Sequence, residues 1–116
     1  ADASSSEALA PLHTSIQFAL AQRQAGSGDT AAAAKTYEAL AAQSTGVTKA
    51  MALMAQGDLH NPLVVEGGDG AKAKSLYEGA QEALGPRPPI DPSDIFATLS
   101  EPYIYGALER KLALLN

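Results

Sequence analysis

The 116-residue sequence predicts an all-α chain of helical hairpins. Three observations carry that expectation. Apolar residues recur every three or four positions, glycine and proline punctuate the chain at helix-sized intervals, and one segment is repeated further along. The repeat sets Gly28–Glu38 against Gly68–Glu78 at a constant offset of 40 residues, with six of eleven positions identical.

The first helix is expected from about Ser5 to Ala25. Ser4 and Glu7 have capping-box spacing at its start, and Leu9, Leu12, Ile16 and Leu20 form an apolar stripe along it. GlySerGly at 26–28 ends it. Asp29 caps a second helix to about Gln43, where its carboxylate suits the positive end of the helix dipole. Gly46 closes the turn, and a third helix runs from about Val47 to Leu59. Asn61-Pro62 breaks it, and Leu63–Glu66 reads as loop because no partner strand exists for its β-branched pair. A fourth helix runs from about Gly70 to Leu84, with Gly85 as a left-handed cap. Four prolines in GPRPPIDP make 85–92 an extended connection. Asp91-Pro92 opens a short fifth helix to about Leu99, and a sixth spans Tyr103 to Leu115 with Ile104, Leu108, Leu112 and Leu115 on one face.

Each repeated position has a mechanical reason. Gly28 and Gly68 allow a tight turn, and Asp29 and Asp69 cap the helix that follows. Ala33 and Ala73 let helix axes approach, and Tyr37 and Tyr77 fill the wedge between neighbouring hairpins. A second register relates the first helices: FALAQ at 18–22 matches MALMA at 51–55 at an offset of 33. The second hairpin therefore has the longer turn, with LHNPLVV as its insertion.

The spacing Gly28, Ala33, Tyr37, Leu40 resembles the second half of a tetratricopeptide repeat. Asp69, Lys72, Ala73, Leu76, Tyr77 and Ala80 resemble the Sel1-like variant of that family. The resemblance covers about residues 15–84. It implies right-handed antiparallel hairpins in a single domain over 1–116. Repeat one spans about 5–43, repeat two about 47–84, the proline-rich connection 85–92 and a capping pair 93–116. It also implies a concave groove lined by the first helix of each hairpin, with Ser15, Phe18, Gln22 and Met51 as the partner-binding positions.

Other chemistries fare worse. A phosphate loop needs lysine directly after its last glycine and then a hydroxyl, but Ala71 separates Gly70 from Lys72 and Ala73 follows. A metal site needs three or four ligands, whereas His13 and His60 are the only histidines and no cysteine is present. The glutamates offer no acid–base pair, since Glu38 and Glu78 each follow the tyrosine at a water-facing position. A net charge of −5 with eight Lys and Arg gives phosphate backbones little to hold, and no apolar run is long enough to cross a bilayer. No catalytic, metal or cofactor site, no nucleic-acid partner and no membrane insertion is expected.

The expectation is thus a non-enzymatic adaptor or scaffold that takes a peptide or protein in its groove. The missing cysteines and the ADASSSEALA start suggest the bacterial periplasm or cell envelope, although an excised cytoplasmic domain fits the same features. The alternative is a structural subunit that pairs with another copy through Ile104, Leu108, Leu112 and Leu115.

Overall fold

The computed structural model describes residues 3–86, 93 and 104–115, with side chains in the first helix from His13 onward. Five α-helices account for nearly all of it: α1 (Ala3–Gly26), α2 (Thr30–Gln43), α3 (Gly46–Asp58), α4 (Gly70–Leu84) and α5 (Ile104–Leu115). No strand occurs among the described residues. The predicted helix at about 91–99, and all of the proline-rich connection after Pro86, lie outside the described residues apart from Ser93.

Local chemistry sets the helix ends. The Asp29 carboxylate accepts a hydrogen bond from the Ala32 N–H at 3.2 Å, and Asp69 accepts one from the Lys72 N–H at 3.2 Å. Each satisfies a donor left free at a helix start. Gly85 ends α4 at φ +79° while its N–H reaches back to the Gln81 carbonyl. Ser4, expected as a cap, already lies within α1. Pro11 also lies inside α1, where it has no N–H to offer the Glu7 carbonyl.

The two repeated glycines do different work. Gly28 takes φ +88° in the first turn, but in the second turn the positive φ falls on Gly67, at +77°. Gly68 is required for another reason: a Cβ there would run into the His60 carbonyl. The longer second turn brings 60–61 back against the start of α4, which leaves no room for a side chain.

Helices adjacent in sequence pack together, α1 on α2, α2 on α3, α3 on α4 and α4 on α5. The three residues between α1 and α2, and the two between α2 and α3, permit only antiparallel neighbours. The molecule is a slab of 47 × 46 × 20 Å. Its least dimension is two helix diameters of about 10 Å.

Two apolar clusters hold the stack. Ala50, Met54, Ala73, Tyr77, Ala80, Ile104 and Leu108 join α3, α4 and α5. Leu40, Ala41 and Ala52 join α2 to α3, with Phe18 packed against them. The repeated positions share their burial: Ala33 and Ala73 are sealed, Tyr37 and Tyr77 are 5% and 0% exposed, and Leu40 and Ala80 are buried one turn later. A buried alanine followed by a buried tyrosine one turn later is thus common to α2 and α4.

The apolar stripe expected on α1 does not face the core where its side chains are described; those of Leu9 and Leu12 lie outside the described residues. Ile16 is 55% exposed and Leu20 43%. The side of α1 that meets α2 is instead Ala21, fully buried, with Phe18, Gln17, Gln24 and Ala25 half-buried around it. Close approach to the alanines of α2 selects small side chains for that seat, so the leucine and isoleucine point elsewhere. On α5 the expected apolar face is present but already covered. Ile104 and Leu108 are buried in this chain's own core, with Leu112 and Leu115 packed beside them.

Candidate functional site: the surfaces of the hairpin stack

Tyr77 anchors the polar cluster that locks α3, α4 and α5 in register. Its ring lies against Gly57, where an added Cβ would stand 2.7 Å from Cε1. Its hydroxyl donates to Asp58 Oδ1 at 2.5 Å and accepts from Asn61 Nδ2 at 3.1 Å. Asn61, itself buried, uses its Oδ1 to accept the Leu63 N–H at 2.9 Å, which fixes the start of the long turn. Lys111 comes from α5 to pair with Asp58 at 2.9 Å, and its ammonium sits 5.8 Å from the Tyr77 ring centre. Asp58 ends α3, where the helix dipole disfavours a carboxylate, so the lysine and the phenol compensate it.

Burial pushes the Tyr77 phenol well above the usual tyrosine range, and the hydrogen bond to Asp58 raises it further, opposed by Asn61. Tyr37 is raised by burial and then by the Asp58 charge. Both rings are therefore neutral packing elements and not acids. Tyr37 stacks at a tilt on Phe18, with centroids 6.1 Å apart. Beside it the Thr36 hydroxyl donates to Gln24 Oε1 at 2.7 Å and ties α2 to α1.

The expected partner-binding residues fall into two kinds. Ser15 and Gln22 are exposed on one side of α1. Phe18 and Met51 are half-buried, the first against Tyr37 and the second against the α3–α4 core. At the 33-residue offset, Ser15, Phe18 and Gln22 correspond to Thr48, Met51 and Ala55, all on one side of α3. Phe18 and Met51 could not be engaged without disturbing the core.

The two histidines are in unlike places. His13 is exposed, while His60 packs near the start of α4 with its Nε2 buried. Burial lowers the His60 pKa, Lys72 lowers it further, and Asp69 opposes both. Among the described residues no group of three His, Asp or Glu side chains is placed to hold a metal ion, and no helix is long and apolar enough to cross a membrane. A shallow depression beside α4 is lined by Ser75, Glu78 and Glu82. Another, on the outer side of α1, is lined by Ile16, Ala19, Leu20 and Arg23.

The Asp58–Lys111 pair carried no signal in the sequence, since 53 residues separate its members. Gly57 was legible in principle, because a glycine inside a helix asks what approaches it. Comparison with protein families, with curated proteins and with solved structures finds no match for this chain.

Proposed function

We propose that the chain is a non-enzymatic adaptor of the tetratricopeptide or Sel1-like kind, which receives a peptide or protein on the side of α1 and α3 that carries Ser15, Gln22, Thr48 and Ala55. One observation supports this reading above the rest. The two hairpins share the same sequence of interior seats, small residue, tyrosine, then apolar residue, on α2 and on α4. A stack of like hairpins spends its tyrosines and alanines inside and leaves an extended side of its first helices to vary with the partner.

The second reading is a structural subunit that pairs through α5; with Ile104 and Leu108 buried in the α3–α4–α5 core, such pairing would exchange α5 between copies, and a concentration-independent monomer mass would count against it. The test uses the whole chain as bait in an envelope extract of the source cell, beside a Gln22→Arg variant. The expected result is one protein retained in fixed proportion by the parent and lost with the variant, at an unchanged melting temperature. Equal retention by both would contradict the proposed surface. Met51 is unsuitable for this purpose, since its packing would confound binding with stability.

A further inference from the structure

Residues 59–69, between α3 and α4, close on themselves at His60 and Asn61. The His60 N–H donates to the Gly57 carbonyl at 3.0 Å, and its own carbonyl packs on Gly68, where no side chain fits. Asn61 then gathers the turn. Its carbonyl takes the Val64 and Val65 N–H groups at 2.9 and 2.8 Å, its Oδ1 takes that of Leu63, and its Nδ2 reaches the Tyr77 hydroxyl. The backbone is thus held on both sides of the imidazole. The His60 Nε2 is cut off from solvent without a hydrogen-bond partner, alone in this among the side-chain polar atoms of the described residues. A neutral ring tolerates that position, whereas a charged, buried N–H without an acceptor is among the costliest groups a fold can hold.

The surrounding charges do not rescue the protonated ring. α4 presents Lys72, which repels a second cation, and Asp69, which attracts one but has its Oδ1 committed to the Lys72 N–H as the helix cap. The start of α4 is itself the positive end of a helix dipole. At the end of α3, Asp58 is taken by the Tyr77 hydroxyl and by Lys111 of α5, and Glu66 in the turn is exposed. Burial first, and Lys72 second, hold the imidazole below the usual histidine range.

We propose that the α3–α4 turn is an acid-released clasp, shut while His60 is neutral and opened when its imidazole takes a proton and turns out to water. Opening frees Leu63, Val64 and Val65 from Asn61 and removes one partner of the Tyr77 hydroxyl, while Tyr77 keeps Asp58 and its apolar cluster. The change is therefore local, and the helices persist. An open-state histidine titrates near pH 6.5, so the clasp is fully held above about that pH and weakens as pH falls below it.

The clasp acts within one chain, so it stands or falls independently of the adaptor reading. Its test is native-state hydrogen exchange of the Leu63, Val64 and Val65 amides in the whole chain at about pH 7.5 and about pH 5, each rate divided by the intrinsic rate at that pH. Opening should rise about three- to thirty-fold on acidification, the upper figure being the most that one histidine with an open-state pKa of about 6.5 supplies. The Asp29 and Ala33 amides, bonded in the turn before α2, should stay as they were. His60→Gln, neutral at both pH values, should abolish the rise, and His13→Gln should leave it. No rise in the parent would overturn the proposal. So would a rise of equal size in His60→Gln, which would assign the opening to Asp69 or Glu66. The His60 ring proton followed by NMR in the unsubstituted chain needs no variant: titration below about pH 6.5 is expected, and titration at or above it would overturn the clasp whatever the variants do.

Discussion

Tyr77 shows how one side chain is asked to be both apolar filler and polar anchor. Its ring is sealed against Gly57, and its hydroxyl binds Asp58 and Asn61, so the neutral phenol is what folding selects. Folding raises the pKa of both Tyr77 and Tyr37 above the unfolded value of about 10. Above that pH the unfolded chain releases the two protons while the folded chain retains them. The stability they contribute is complete below pH about 10 and is lost as pH rises beyond it. Urea midpoints measured from pH 8 to 11 should therefore fall at the alkaline end, and Tyr77→Phe, which has no proton to lose, should flatten that fall. The same variant should cost about 1 to 3 kcal/mol at pH 7, because Asp58 and Asn61 lose a buried partner. A fall of unchanged steepness in Tyr77→Phe would mean other groups drive the alkaline loss.

At the scale of elements, the sequence spoke clearly where the determinant is local and poorly where it lies across the molecule. Asp29, Asp69 and Gly85 act within one turn of their own position, so α2 and α4 have the ends expected for them. The apolar stripe of α1 was legible as a stripe, but periodicity does not say which neighbour a stripe faces, and alanine at Ala21 outcompeted leucine for the close contact. The separation of α3 from α4 depends on Gly57, whose missing side chain admits the Tyr77 ring. Gly57→Ala would improve intrinsic helix propensity by about 1 kcal/mol. The added Cβ, however, would stand 2.7 Å from the ring, and the overpacking should cost about 1 to 3 kcal/mol. Thermal unfolding of that variant is expected to show a net loss; a gain would mean the two helices part without penalty.

Taken whole, the molecule is a linear stack with unlike ends. α5 closes one end by covering Tyr77 with Ile104 and Leu108 and tying Lys111 to Asp58, while α1 leaves Ile16 and Leu20 open at the other. α2 and α4 share an aspartate cap, a buried alanine and a buried tyrosine, though one ring meets Phe18 and the other Gly57. Chemical denaturation of Tyr37→Ala beside Tyr77→Ala tests that equivalence most directly. Each substitution is expected to remove about 3 to 5 kcal/mol from a single cooperative transition. A loss under about 1 kcal/mol at either position would show that its ring holds nothing together and would contradict the proposal that the two hairpins are copies of one design.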